Sequence, residues 1–176
     1  MIRALSLSFA VIAALAAAPA LAATVGADIS RAGPEGPGEA LGSVTISDSP
    51  KGAVIALDLK GLPPGQHGLL LHQNASCAPG PGADGKVVPA GAAGGHWDPG
   101  QTGHHMGPEG EGHMGDLPRI EVGADGAVKT SLLAPRIKDV TALRGHALMI
   151  HAGGDNYSDT PPLGGGGARF ACGVLK

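Results

Sequence analysis

Aromatic side chains are almost missing from this chain: two Phe, one Tyr and one Trp in 176 residues. A core of stacked rings is therefore excluded, and Val, Ile, Leu and Ala must fill the interior. That composition suits strands better than helices. Cysteine is nearly as scarce, with Cys77 and Cys172 alone. Two residues so far apart exclude a disulfide-dense miniature scaffold and the closely spaced pairs of a thiolate zinc site. Positive charge is also short, and the formal net charge is −3. Such a chain carries no electrostatic footprint for nucleic acid or an anionic membrane. Past the first twenty-odd residues no apolar run reaches the ~20 residues of a membrane-spanning helix.

The beginning of the chain is different. Arg3 precedes an apolar run from Leu5 to Ala18, and Ala20-Leu21-Ala22 fits a small-x-small cleavage pattern. Residues 1–22 read as a secretory signal peptide, too short and wrongly flanked for a membrane span. Cleavage would leave 154 residues, the size of one domain, with net charge −4. The product is expected to be periplasmic or secreted, and without a cysteine near the cleavage site it is expected to be free of a lipid anchor. An oxidising compartment favours pairing Cys77 with Cys172, and closing so long a loop is worth at most about 4–5 kcal/mol. Two buried thiols remain the alternative from composition alone.

What the sequence has in abundance is glycine, 31 residues, and proline, 15. They punctuate eight short β-rich runs: Thr24–Arg31, Leu41–Ser47, Ala53–Lys60, Gly68–His72, Arg119–Val122, Ala127–Leu132, Ala147–His151 and Phe170–Leu175. His146 reads as part of a strand. Hairpin turns are expected at Ser49-Pro50-Lys51-Gly52 and Ala124-Asp125-Gly126, and one helical turn from Asp139 to Leu143. Two stretches read as long loops, Gln73–Pro118 and Ala152–Ala168. Loops of this length in a small domain carry function or are disordered. The pattern predicts an all-β, antiparallel barrel or sandwich bearing its site on those loops.

The loops hold the chemistry. His72, His96, His104, His105, His113 and His151 sit in or beside glycine-rich turns, and Asp116 follows His113 by three. Imidazoles with one carboxylate form the nitrogen-and-oxygen donor set that suits zinc and copper. A histidine-rich surface with no ligand is the bland alternative.

The motifs H-G-L-L-L-H-Q-N-A-S-C, A-A-G-G-H-W-D-P, G-H-M-G-D-L-P, H-A-G-G-D-N-Y-S-D and G-G-G-G-A-R-F-A-C-G-V resemble those of exported bacterial copper/zinc superoxide dismutases. The resemblance runs from about Thr24 to the end. It implies an eight-stranded antiparallel Greek-key β-barrel, an immunoglobulin-like sandwich, with a Cys77–Cys172 disulfide. It implies zinc ligands His96, His105, His113 and Asp116, and copper ligands His72, His96 and His151, His96 bridging the two metals. His104 falls one place off the family's spacing and is expected to be a solvent-exposed neighbour. Arg169 would attract and position superoxide, and Asp155 would tie a copper ligand to a zinc ligand from behind.

One position departs from that pattern. The family carries His-x-His where this chain has Leu70-Leu71-His72. Residues two apart on a strand share a face, so Leu70 is expected to point an isobutyl group at the copper. His67 sits at the wrong parity to replace it, and Asp155 is left to orient His105 alone. Three imidazoles favour copper(I) over the tetragonal copper(II). The expected function is superoxide dismutation at a three-histidine copper of weakened or partial occupancy beside a structural zinc. A zinc-only binding protein is the alternative. Superoxide is the expected partner, and monomer and homodimer are both left open.

Overall fold

Alternation decides the strands. In β3 (Gly52–Leu59), Ala53, Ile55, Leu57 and Leu59 are buried while Ala56 and Asp58 are exposed, the period-two pattern of a sheet with one wet face. A computed structural model of the chain describes residues 22–176, so the expected leader falls almost wholly outside the described residues. The remaining strands are β1 (Thr24–Gly33), β2 (Gly36–Ser49), β4 (Gly65–His67), β5 (Leu69–His72), β6 (Gly80–Pro81), β7 (Val87–Val88), β8 (Ile120–Val122), β9 (Val128–Ala134), β10 (Ala147–His151) and β11 (Arg169–Val174).

Seven strands form one antiparallel sheet in the order β5-β10-β11-β1-β2-β3-β9. β4 and β5 are one strand interrupted at Gly68; its first half pairs with β8, its second with β10. β8 turns into β9 at Ala124-Asp125-Gly126, where Gly126 N–H donates to the Gly123 carbonyl at 2.9 Å. The sheet therefore curls back on itself. Counting β4 and β5 together, eight strands make the circuit, and β4 follows β3 in sequence without lying beside it, as in a Greek key. The second expected hairpin is present too, with Ser49 opposite Gly52. The 3-10 turn at Val140–Leu143 begins at Asp139, whose carboxylate accepts from Thr141 N–H.

Three details were not foreseen. The first long loop contains the small β6–β7 ribbon and a 3-10 turn at Gly91–Ala93. His146 stands just before β10 instead of within a strand. A bulge in β1–β2 follows Ile29↔Gly42. Gly42 has φ 132°, and a Cβ there would stand 2.1 Å from the Asp58 carbonyl oxygen, so the bulge requires glycine.

β5 and β10 are buried on both faces. Leu69, Leu71, Leu148 and Ile150 join the barrel core. Ala147 and Met149 face the other way, against Ala90, Ala93 and Cys172 beneath the loops. Met149 lies opposite Leu70, and Ala147 opposite His72. The site therefore forms on the outer side of the barrel wall. Cys77 and Cys172 are disulfide-bonded across a sequence separation of 95, which ties the first loop to β11. Replacing both with serine is expected to lower the unfolding free energy by about 2–5 kcal/mol, measured by denaturant titration. A change below about 1 kcal/mol would mean that the long loops hold themselves.

Candidate metal centre

The first long loop is laid against β5 by backbone hydrogen bonds. Leu71 N–H donates to Gly115 O at 2.9 Å, Trp97 N–H to Leu71 O at 2.8 Å, and Gly115 N–H to Trp97 O at 2.8 Å. A Cβ on Gly115 would lie 2.4 Å from Leu71 O, so only glycine permits the approach. This ladder brings His96 opposite His72 and Asp116 opposite Leu70. Residues twenty positions apart thus reach one place.

Two donor groups result, sharing His96. In the first, Asp116 Oδ1 lies 3.3 Å from His96 Nδ1, 3.0 Å from His105 Nδ1 and 3.3 Å from His113 Nδ1. A tetrahedral zinc with bonds of about 2.0 Å places its ligand atoms about 3.3 Å apart. His105 Nδ1 and His113 Nδ1 are buried with no hydrogen-bond partner among the described residues, which fits lone pairs aimed at a common centre. Asp116 Oδ2 is held by the Met106 N–H at 3.0 Å. Burial would raise the Asp116 carboxyl, but His105 and His96 hold it well below the usual carboxylate range. Burial opposes charge on His105, yet Asp116 and Asp155 outweigh it and raise its pKa to about 9.

The second group is His72, His96 and His151. His72 Nδ1–H donates to Gly94 O at 2.9 Å, and His151 Nδ1–H to Gly167 O at 3.0 Å. A carbonyl can only accept, so each ring carries its proton on Nδ1 and offers the Nε2 lone pair. The two Nε2 atoms stand 3.4 Å apart, and His96 Nε2 is buried without a partner among the described residues. Burial lowers His151 to about 4 and His72 well below its ordinary value, so burial favours the neutral ring in both. Burial lowers His96 as well.

Leu70 is 1% exposed. A Cβ placed on Gly68 would stand 3.3 Å from Leu70 Cδ1, 3.5 Å from Asp155 Cβ and 3.7 Å from His151 Cβ, so the isobutyl group shares its corner with those two residues. Asp155 Oδ1 accepts from His105 Nε2–H and from Tyr157 N–H, both at 2.8 Å. Its Oδ2 is buried and finds no partner among the described residues. His67 offers no substitute: its Nδ1 lies 2.8 Å from His151 O and its Nε2 2.8 Å from Pro63 O, leaving no nitrogen for a metal.

The structure places the flanking residues as well. His104 is exposed, and its Nδ1 lies 2.9 Å from Asp159 Oδ2. Arg169 begins β11, and its guanidinium donates to Ala90 O and Gly94 O beside the second group. Gly94 O therefore serves His72 and Arg169 together. Sequence reasoning missed this carbonyl, and the Gly167 carbonyl that orients His151, because backbone acceptors leave no mark on residue identity. It also passed over Asp159, whose Oδ1 accepts from His105 N–H at 2.7 Å.

The family model described as copper/zinc superoxide dismutase (SODC) matches residues 40–175. The chain belongs to that family. It is 54% identical over 163 residues to a protein named superoxide dismutase [Cu-Zn] from Brucella abortus, covering 92% of this chain and 94% of that one. It is 48% identical over 170 residues to the Escherichia coli K12 protein of the same name, covering 96% and 98%. The solved Cu/Zn superoxide dismutase from Brucella abortus superposes with a TM-score of 0.84 at 54% identity, covering 88% of this chain and all of that one. Within this superoxide dismutase fold the first donor group lies on the first long loop, and the second joins His96 of that loop to His72 and His151 at the ends of β5 and β10.

Proposed function

We propose that the chain disproportionates superoxide to dioxygen and hydrogen peroxide. In this reading His96, His105, His113 and Asp116 hold zinc, and His72, His96 and His151 alone hold copper. The carrying observation is the convergence of three imidazole Nδ1 atoms on one carboxylate oxygen at tetrahedral spacing, with the third imidazole turning its other nitrogen to a second imidazole pair. The donors fit zinc fully, and they fit copper with three nitrogens and an aliphatic fourth corner.

When bound, copper supplies the one-electron couple that superoxide disproportionation needs, and zinc supplies charge without a couple. The protein does the rest. Arg169, fixed by two carbonyls, presents a cation that concentrates a small anion beside the imidazoles even on a net-negative chain. His72 and His151 are held in one tautomer by Gly94 and Gly167. His96 Nε2 would hold and release one of the two protons that leave with peroxide, the other coming from solvent. Asp155 fixes His105, and Asp116 fixes the Nδ1 end of His96.

Leu70 weakens this chemistry, since one donor fewer favours the reduced ion and lowers occupancy. The same residue and the unpartnered Asp155 Oδ2 favour a second reading, a zinc-only binding protein. Residues 1–22 act as an export signal in either case, and the family likeness with its disulfide supports a chain that works outside the cytoplasm. No helix among the described residues is long and apolar enough to cross a membrane.

Metal content and superoxide turnover of the purified chain separate the readings. The dismutase reading expects one zinc per chain, less copper than zinc, and measurable turnover. Arg169→Gln then lowers kcat/KM at least about tenfold and flattens its salt dependence. Full zinc with no copper and no turnover establishes the binding protein.

A further inference from the structure

The second donor group opens onto a cavity of about 410 Å³. Small-molecule sites run from about 300 to 1,000 Å³, whereas a two-atom anion needs little more than the ~30 Å³ of one water. Superoxide leaves most of this space unused. Apart from the three imidazoles and Arg169, the wall is mostly apolar: Val88, Pro89, Leu163 and Ala168, with glycines between. The acid on the rim, Asp84, is 3.3 Å from Lys86 Nζ and accepts from the Lys86 N–H, which offsets its charge.

Leu163 is the odd member. It is a leucine in the left-handed region, φ 54° and ψ 42°, a conformation that β-carbons disfavour. It is also 45% exposed, so the barrel core is not what holds it there. An apolar side chain kept at a cavity mouth in a strained conformation is suited to covering something apolar. At the inner end, Arg169 spends one N–H on Ala90 O and one on Gly94 O. A guanidinium has five, so three are not used by these two carbonyls, and Arg169 is among the residues that line the cavity.

We propose that this cavity binds a monocarboxylate with a short or medium aliphatic chain. The carboxylate lies on the Arg169 guanidinium, and the chain runs outward along Val88, Pro89 and Ala168 beneath Leu163. Neither contact requires copper, so the site stands whether or not the dismutase reading does. Bound carboxylate covers the mouth through which a small anion must pass, which makes it a competitor of that anion.

Isothermal titration of the purified metal-loaded protein with acetate, butyrate, hexanoate, octanoate and 1-hexanol tests this. Each buried methylene is expected to tighten binding about fourfold from butyrate to octanoate. Arg169→Gln should weaken octanoate at least about tenfold, as loss of a charge-assisted pair does. Leu163→Ser, at an exposed position outside the barrel core, should flatten the chain-length steps while leaving acetate unchanged. Octanoate binding no tighter than acetate overturns the apolar wall. Hexanol binding as tightly as hexanoate overturns the Arg169 head site, and steps unaltered in Leu163→Ser overturn the role of that leucine.

Discussion

Leu70→His is expected to raise copper affinity at least about a hundredfold and superoxide turnover with it. Replacing a group that merely orients a ligand already changes metal affinity ~10–100-fold, and a new ligand should do no less. The new imidazole would stand two residues from His72 on β5, opposite Met149, on the face that carries the second donor group. Its other nitrogen would meet Asp155 Oδ2, the buried oxygen that now lacks a partner. The variant also has a cost of the opposite sign. Without copper, the buried ring nitrogen left without its metal should destabilise the protein by about 1–3 kcal/mol. Copper should therefore stabilise the variant more than the parent, which thermal unfolding with and without copper would register alongside chelator competition and turnover. Parent and variant matching in copper affinity and rate would show that Leu70 is not in the copper corner.

Asp116→Ala is expected to abolish zinc binding, with affinity falling by more than about a hundredfold. One oxygen of this side chain lies within 3.3 Å of three imidazole nitrogens, and the other accepts the Met106 amide. Removing it leaves three buried Nδ1 atoms with neither carboxylate nor metal, and it frees the backbone near Met106. The charge on His105 loses one of its two supports, so its pKa should fall from about 9 towards the ordinary value. Hydrogen exchange should quicken across the first long loop while β1, β2 and β3 keep their protection, because the barrel core does not depend on the site. Zinc retained at one per chain would refute the assignment of Asp116.

Much of this arrangement was legible in the residues. β3 announces itself because Ala53, Ile55, Leu57 and Leu59 alternate with polar or small positions. β5 and β10 are buried on both faces and show no alternation, and their runs of Leu, Met and Ile were readable only as short apolar stretches between turns. The break at Gly68 was not legible, since it arises from pairing: Gly68 donates to Gly153 O and accepts from the His151 amide. The donor residues stood out as histidines in glycine-rich turns, and Leu70 as the exception between them. Which nitrogen each ring offers depends on carbonyls of Gly94 and Gly167, contributed by loops distant in sequence. The strained Leu163 likewise looks like an ordinary residue between proline and glycine until its backbone angles are known.

The most direct measurement is X-ray absorption at the copper edge of the copper- and zinc-loaded protein, beside the Leu70→His variant. Three imidazole nitrogens around copper in the parent and four in the variant are the expected result. Four in the parent would contradict the claim that an aliphatic side chain has taken the place of a ligand.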